Sequence, residues 1–279
     1  MSDDGALRTG GEWPNDALLA SMRARLGARA SRIGLVLGSG LGGIADAAEE
    51  RIEWAADELP GYPRSTVAGH DGRLILGRFG GVDTWIVKGR VHLYEGHPPE
   101  TVTRYVRLLR SQGVRTLILT NAAGSLVREI EPGSICRVDD VLNLFLYPLA
   151  RPAKPSSLFR RREPLVDPAL SRIVERVARE QRIALRAGVL CGSPGPNYET
   201  ASEVRAARLY GAHLASMSTV PEALLARELG MRVLIFSSVT NYATGLSPTR
   251  LTHGEVVTMA DHAGQDLRRL LEALLPELQ

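Results

Sequence analysis

Short apolar runs alternate with amphipathic segments along this chain, and this alternation constrains its fold more than any other feature. The runs are rich in valine, isoleucine and leucine and show little polar alternation, which is typical of strands covered on both faces. We predict strands at 33–38, 73–79, 84–89, 116–121, 187–192 and 232–240. Strands separated by helices in this way predict an α/β fold with a largely parallel central sheet.

The predicted helices lie between these strands and at the end of the chain. Apolar residues recur along one face at 98–112, 167–184 and 256–274. Three helix starts share the pattern Ser/Thr-x-x-Glu, in which hydroxyl and carboxylate cap each other's backbone: 200–203, 219–222 and 252–255. Gly211 and Gly230 mark the predicted ends of the first two of these helices.

The composition favours one domain that binds small anions. The chain has 279 residues, of which 44% are hydrophobic, and no linker divides it, so we predict a single domain over 1–279. Within it we predict an N-terminal helical extension at 1–30 and a proline-rich excursion loop at 147–164. The net charge is +3 without a run of five basic residues, which argues against nucleic acid as a partner.

The sequence also predicts a cytoplasmic protein without a membrane segment. Its polar, acidic start lacks the features of a signal peptide, and no apolar stretch approaches the roughly 20 residues of a membrane helix. Cys136 and Cys191 form neither C-x-x-C nor a metal-ligand spacing. We interpret them as buried thiols in a reducing compartment.

A glycine-rich segment, 38–43, follows the first predicted strand and fits G-x-G-x-x-G. A dinucleotide site would need a helix and then a second apolar strand ending in Asp or Glu about 20 residues on. The residues after the loop contain no such clean strand. A plain turn is a second interpretation, and a phosphate cradle in which Ser39 donates its hydroxyl is a third.

Polar residues follow other predicted strands. Arg90 offers a two-pronged donor for an oxyanion, and His92 points the same way if the segment is extended. A metal site built from His92, Glu95 and His97 is an alternative without a zinc-type spacing, and a solvated charged loop is another. The small residues at 119–125 would either present backbone N–H groups to a ligand or serve tight packing.

Further candidates lie at predicted helix starts, where anions are favoured. Glu199, Ser218 and His253 stand at these positions, although a dipole or capping role would explain each of them. Asn241 follows the last predicted strand, where a turn role is the alternative.

Taken together, eight segments in order resemble the trimeric, 6-oxopurine-preferring class of purine nucleoside phosphorylases. The resemblance covers about 33–275 and is carried by GSGLGG (38–43), GHDGRL (69–74), GRVHLYEGH (89–97), TNAAGS (120–125), GPNYETASE (195–203), MSTVPEA (217–223), TNYATG (240–245) and THGEV (252–256). It implies the nucleoside phosphorylase fold, with a mixed, largely parallel and partly barrel-like sheet. It also implies a homotrimer with sites near subunit interfaces, and reversible phosphorolysis of purine (deoxy)ribonucleosides in purine salvage.

The resemblance assigns roles by segment. The phosphate set is Ser39, His70, Arg90, His92, the backbone N–H of Ala122, and Ser218. The ribose contacts are Tyr94, Met217, His253 and Phe159, the last reaching a neighbouring subunit's site. The base pocket is Tyr198, Glu199, Asn241, Ala215 and Val256, and the catalytic residues are His92, Asn241 and Glu199. Phosphate is a co-substrate, and neither a cofactor nor a metal is implied.

Elementary chemistry agrees with two of these roles. Asn241 donates to the purine N7 as negative charge builds up there. Glu199 accepts from N1–H, which inosine and guanosine have and adenosine lacks, so an adenosine complex leaves the carboxylate unpaired.

Three rival functions are distinguishable. A 5′-methylthio-nucleoside phosphorylase would favour a small apolar residue at His253. A nicotinamide-dependent oxidoreductase would use the glycine loop, and a purine-binding protein would leave inosine intact.

The chain departs from the family in its excursion loop. This loop is short, lacks the usual Asn-Pro-Leu and Gly-Pro-Asn stretches, and carries Arg160, Arg161 and Arg162 directly after Phe159. The choice among 6-oxopurine nucleosides, xanthosine included, therefore stays open.

Overall fold

Nine strands form one sheet in the computed structural model, which describes residues 13–66, 72–144, 164–246 and 253–279, the stretch 253–262 by its backbone alone. The strands are β1 Ile33–Leu37, β2 Glu49–Ala55, β3 Arg73–Phe79, β4 Val82–Lys88, β5 Thr116–Ser125, β6 Ile135–Asn143, β7 Leu185–Gly192, β8 Leu214–Ser216 and β9 Arg232–Tyr242. The helices are α1 Asp16–Leu26, α2 Pro99–Val102, α3 Arg104–Ser111, α4 Pro168–Glu180, α5 Ala201–Leu209, α6 Val220–Glu228 and α7 His253–Leu274.

The sheet is a ring at one end and a ribbon at the other. Its strand order is β2-β3-β4-β1-β5-β8-β7-β6-β9, and β9 pairs back onto β5. β5, β8, β7, β6 and β9 therefore close into a ring, while β1, β4, β3 and β2 extend from β5. Parallel pairs join β1 to β4 and β5, β5 to β9, and β7 to β6 and β8, whereas the other pairs are antiparallel. This arrangement confirms the predicted α/β fold with a mixed, partly barrel-like sheet.

All six predicted strands are present, but three further strands were not predicted. β2 lies at the end of the ribbon and exposes Glu49 and Arg51, so it does not have the apolar pattern of a covered strand. β6 carries charged residues in its middle, and β8 has only three residues. Two arginines, Arg25 of α1 and Arg29 in the segment between α1 and β1, donate to the backbone carbonyls of Glu53 and Glu50 in β2.

The predicted helices are present with two changes. The segment 98–112 is divided into α2 and α3 at Thr103, whose hydroxyl donates to the Pro99 carbonyl at 2.8 Å. The predicted helix at 167–184 ends four residues early, at Glu180. Gly211 and Gly230 follow α5 and α6 with positive φ, as predicted for helix ends.

One of the predicted capping boxes is confirmed and one is wrong. Thr200 and Glu203 cap each other's backbone N–H groups at the start of α5, at 2.7 and 3.3 Å. Thr219 makes no such bond at the start of α6. Glu222 instead turns inward to Arg90, because a buried guanidinium is a stronger partner for a carboxylate than a helix N–H group. The third box begins at 252, outside the described residues.

The core lies between the sheet and its surrounding helices, and α7 packs against β9, β6 and α4. The β3–β4 turn meets α7 closely: a Cβ on Gly80 would lie 2.5 Å from the Glu272 carbonyl oxygen. Next to it, Gly81 has open space. Cys136 and Cys191 are buried free thiols, as predicted, and burial raises their pKa to about 12 and about 11.

The predictions of an excursion loop and of a chain without a membrane helix can be compared with the structure only for the residues that it describes. Most of the excursion loop at 147–164, with its three consecutive arginines, lies outside the described residues. None of the helices in the described part of the chain is long and apolar enough to span a membrane.

Candidate active site

The carboxyl ends of three adjacent parallel strands, β4, β1 and β5, bring the glycine loop beside Arg90. A Cβ on Gly38 would lie 2.7 Å from the Thr120 carbonyl oxygen and 3.0 Å from Nη2 of Arg90. The Gly38 N–H donates to the Thr120 hydroxyl at 3.0 Å. Only a residue without a side chain allows this approach of loop, strand and guanidinium. The structure thus joins two segments that lie about 50 residues apart in the sequence.

Arg90 is buried and held by three acceptors. Its Nη1 donates to Oε2 of Glu222 at 2.5 Å and to the Thr219 hydroxyl at 3.2 Å, and its Nη2 donates to the Thr120 carbonyl. The side chains of Arg90 and Glu222 are each 1% exposed. Sequence reasoning assigned Glu222 to a helix cap and missed it as the partner of Arg90, although a lone acid inside the apolar stretch VPEALLA was a signal for a buried partner.

Hydroxyl groups continue this network toward Ser218 and Ala122. The Ser218 Oγ lies 3.2 Å from the Thr219 Oγ1 and 3.4 Å from the Ser216 Oγ. Ser216 donates to the Ala122 carbonyl at 3.1 Å. Two residues of the predicted phosphate set, Ser218 and Ala122, are therefore linked through Ser216.

His92 is oriented by Glu95. The imidazole Nδ1 lies 3.0 Å from Glu95 Oε1, and the His92 backbone N–H donates to the same oxygen at 2.7 Å. The backbone and hydroxyl of Thr66 donate to Oε2. Burial acts to raise the pKa of Glu95, but the donors of Thr66 and His92 outweigh it and lower the pKa from 4.5 to about 2.

The His92 side chain is neutral near pH 7. Burial and then the charge of Arg90 lower its pKa from 6.5, and the Glu95 contacts offset this only in part. An ionised carboxylate can only accept, so Nδ1 carries the hydrogen and Nε2 is the basic nitrogen. Sequence reasoning considered Glu95 only as a metal ligand and missed it as the residue that fixes the tautomer of His92.

The predicted ribose contacts Tyr94 and Met217 meet around Gly195. The Tyr94 ring stacks on His92 with centroids 4.7 Å apart. A Cβ on Gly195 would lie 2.6 Å from Met217 Sδ and 3.0 Å from Tyr94 Cδ1. The loop before α5 therefore packs directly on this wall of the site.

The predicted base contacts flank Gly124 in β5. In the sheet register, Gly124 lies opposite Ala215 on one side and Asn241 on the other. The Thr240 hydroxyl donates to Asn241 Oδ1 at 2.8 Å, and Asn241 Nδ2 donates to the Tyr242 carbonyl at 3.0 Å. This orientation assigns Nδ2 as a donor and leaves it a second N–H, which suits an acceptor nitrogen.

Glu199 and Tyr198 lie at the outer side of this region. Glu199 is half-buried, and its Oε1 accepts from the Ser193 hydroxyl at 3.1 Å. Tyr198 is 76% exposed, so within this chain it does not form an enclosed wall. Sequence reasoning did not identify Ser193.

Four predicted site residues cannot be placed at side-chain level. His70 and Phe159 lie outside the described residues, and His253 and Val256 belong to the part of α7 described by its backbone alone.

Two alternatives from the sequence are not supported. In the described part of the chain no group of three His, Cys, Asp or Glu side chains could hold a metal ion, so His92, Glu95 and His97 do not form one. The glycine loop is followed by a short 3₁₀ segment, Gly42–Ala47, and by β2, which is antiparallel to β3. A dinucleotide site requires a helix and a second parallel strand at this point.

Comparison with known proteins identifies the class to which this fold and site belong. Residues 32–276 match the family model described as the phosphorylase superfamily. The chain is 38% identical to purine nucleoside phosphorylase 1 of Bacillus subtilis over 251 residues, which cover 89% of this chain and 93% of that protein. It is 36% identical to the purine nucleoside phosphorylase of Bos taurus over 258 residues, covering 88% and 89%.

The fold agrees with a solved structure of the same kind. The crystal structure of Schistosoma mansoni purine nucleoside phosphorylase in complex with inosine matches with a TM-score of 0.81 and 28% identity, covering 94% of this chain and 95% of that one. The chain therefore belongs to the phosphorylase superfamily and, within it, to the family of purine nucleoside phosphorylases.

Proposed function

We propose that this protein catalyses the reversible phosphorolysis of purine (deoxy)ribonucleosides, inosine and guanosine above all. The products are the free base and (deoxy)ribose 1-phosphate. The observation that carries the proposal is the meeting of the glycine loop and Arg90, with Gly38 directly against the guanidinium. Family membership supports the same activity.

The phosphate set is Ser39, His70, Arg90, His92, the N–H of Ala122, and Ser218. Arg90 supplies a permanent charge, and neutral His92 presents a basic Nε2 that accepts the hydrogen of a monohydrogen phosphate. As the bond from C1′ to N9 breaks, the ribosyl group becomes cationic, and the bound phosphate stabilises it and then forms the new bond to C1′. The reaction as proposed needs phosphate as co-substrate and no cofactor or metal.

The leaving base takes the electron pair of the broken bond. Asn241 Nδ2 donates to N7, where negative charge accumulates, and Glu199 accepts from N1–H. Ser193 donates to one oxygen of Glu199 at 3.1 Å, and the other oxygen is the proposed acceptor for the base. Tyr94, Met217, His253 and a neighbouring subunit's Phe159 surround the sugar, while Tyr198, Ala215 and Val256 line the base pocket.

We infer a cytoplasmic homotrimer with its sites near the subunit interfaces. Large side chains on and around α5 support a covered surface there: Leu209 is 87% exposed, Tyr210 71% and Tyr198 76%. Apolar side chains of this size, next to a base-binding residue, suit coverage by a second copy.

Incubation of inosine with the protein, with and without phosphate, tests the activity. We expect hypoxanthine and ribose 1-phosphate to appear only when phosphate is present. Cleavage that does not depend on phosphate would indicate a hydrolase. Binding of guanine with inosine left intact would indicate a binding protein, and tryptophan quenching by a nicotinamide dinucleotide, without quenching by phosphate plus hypoxanthine, would favour an oxidoreductase.

A further inference from the structure

A buried polar network lies behind Arg90 and is not explained by helix capping. Glu222 and Thr219, both from the start of α6, accept from the Arg90 guanidinium at 2.5 and 3.2 Å. Asn121 of β5 donates to the same Thr219 hydroxyl at 3.1 Å. Since Ser218 Oγ is 3.2 Å from that hydroxyl, Thr219 connects Arg90 with Ser218, two members of the proposed phosphate set.

The backbone at Thr219 is strained in a way that serves this connection. Its φ is +68° and its ψ is −49°, and the N–H of Val220 donates to the Ser218 carbonyl at 2.7 Å. These values define a rare γ-turn with positive φ, which a β-branched residue adopts only when its surroundings enforce it. Such strain is concentrated at functional sites, where it holds a group in place.

The stability of the fold alone does not explain a glutamate at position 222. Both partners of the ion pair are fully buried, and well-packed apolar residues commonly replace such pairs without loss of stability. Asn121 Oδ1 is buried and has no hydrogen-bond partner among the described residues, whereas the Tyr105 hydroxyl lies beside Glu222, and burial and then the charge of Glu222 raise the pKa of that tyrosine. The network therefore holds Arg90 firmly while it keeps a buried carboxylate among polar neighbours.

We propose that Glu222 and Thr219 are positioning residues for phosphate, which fix the Arg90 guanidinium and the Ser218 hydroxyl as one unit before phosphate binds. This inference rests on the proposed function, because it requires Arg90 to bind phosphate. Glu222 acts through Arg90, and Thr219 acts through both Arg90 and Ser218.

Charge and position predict opposite effects at Glu222, which makes the proposal testable. Glu222→Gln removes a negative charge next to the site, so electrostatic attraction alone predicts a lower KM for phosphate. Loss of positioning predicts a KM for phosphate raised about 10-fold, because the neutral amide oxygen of glutamine holds the guanidinium less tightly than a carboxylate oxygen does. The KM for inosine should change less than 2-fold.

Further variants keep the test valid if Glu222→Gln fails to fold, as judged by circular dichroism and thermal melting. Thr219→Ala should raise the KM for phosphate, and Thr219→Ser, which keeps the hydroxyl, should recover most of that loss. Glu228→Gln, an exposed acid at the end of the same helix, is the matched control and should leave both KM values unchanged.

Arg90→Lys separates failure of the inference from failure of the proposed function. If Arg90→Lys raises the KM for phosphate but Glu222→Gln lowers or preserves it, the positioning proposal is overturned while the function stands. Equal KM values for phosphate in Thr219→Ala and Thr219→Ser also overturn it. If Arg90→Lys leaves the KM for phosphate unchanged, the proposed phosphate site itself is wrong, and the inference fails with it.

Discussion

The protonation states of single residues in this site are set by the side chains and backbone groups that contact them. His92 is neutral because it is buried beside Arg90, and its tautomer is fixed because Glu95 accepts from Nδ1. Glu95 in turn stays ionised because Thr66 and His92 donate to it. The pKa values of His92 and Glu95 therefore depend on the contacts among Arg90, His92, Glu95 and Thr66 remaining intact.

Glu95 should stabilise the protein in a pH-dependent way. Its folded-state pKa of about 2 lies below the ordinary value of 4.5, so its stabilisation is complete above pH 4.5 and is lost as the pH falls toward 2. The shift corresponds to about 3 kcal/mol. Urea unfolding of wild type and Glu95→Gln at several pH values should show a difference that shrinks over this range.

Glu100→Gln, at an exposed position in the neighbouring helix α2, serves as the control for that measurement. A difference between wild type and Glu95→Gln that stays constant from pH 6 to pH 3 would show that the carboxylate is not held ionised by its donors.

Glu199→Gln should reduce kcat/KM for inosine by about 10- to 100-fold, because N1–H then loses a charged acceptor. The effect on adenosine cleavage should be smaller, since adenosine has no N1–H. Glu203→Gln, in the next turn and exposed, keeps the helix cap and should match wild type in steady-state kinetics. Unchanged inosine cleavage in Glu199→Gln would remove this residue from the base pocket.

At the scale of secondary structure, the sequence predicts elements well where one environment determines the pattern. Strands covered on both faces, such as β1 and β9, are continuous apolar runs and were predicted. β2 was missed because charged side chains cover its outer part, and β8 was missed because three residues carry too little pattern.

The start of α6 shows why sequence alone misses part of the site. Thr219 and Glu222 have the spacing of a capping box, but the approach of β4 brings a buried arginine that competes for the carboxylate. That approach is a tertiary contact between residues 132 positions apart in the sequence, and no local pattern reports it. Motif spacing nevertheless selected Arg90, His92 and Ser218 as candidates, because each follows a strand end, and Asn241, because it stands near the end of β9.

The contact between the β3–β4 turn and α7 should depend on one glycine of an adjacent pair. Gly80 and Gly81 both have positive φ, but only Gly80 lies against the backbone of Glu272. Gly81→Ala should cost about 1–2 kcal/mol from backbone strain alone. Gly80→Ala should cost about 1–3 kcal/mol more through overpacking, and equal unfolding free energies for the two variants would contradict the contact.

At the scale of the whole molecule, the ring and the ribbon of the sheet each contribute part of the candidate site. The ribbon supplies the glycine loop and Arg90, and the ring supplies Ala215, Asn241 and the strand that precedes Glu199. β5 belongs to both parts and carries the residues between them, Thr120, Asn121, Ala122 and Gly124.

Assembly should depend on the exposed apolar surface of α5. Leu209→Lys places a charge where a second copy is proposed to pack, so we expect light scattering after size exclusion to show a mass below that of a trimer. Activity should fall with it, because a neighbouring subunit is proposed to supply Phe159. Gln279→Lys, at another exposed position, should retain the wild-type mass, and a trimeric Leu209→Lys protein would exclude this surface.

The two arginines that reach the β2 carbonyls, Arg25 and Arg29, have a consequence for how the molecule behaves in a concentrated protein solution. Among the described strands, each strand of the ring pairs with a neighbour on both sides over at least part of its length, whereas β2 pairs only with β3 and presents a free edge along its whole length. The backbone carbonyls of Glu50 and Glu53 already accept from Arg29 and Arg25. The charged, exposed side chains of β2 also disfavour contact with an apolar strand. Addition of another polypeptide strand, the first step of fibril growth, is thereby discouraged at the edge of β2.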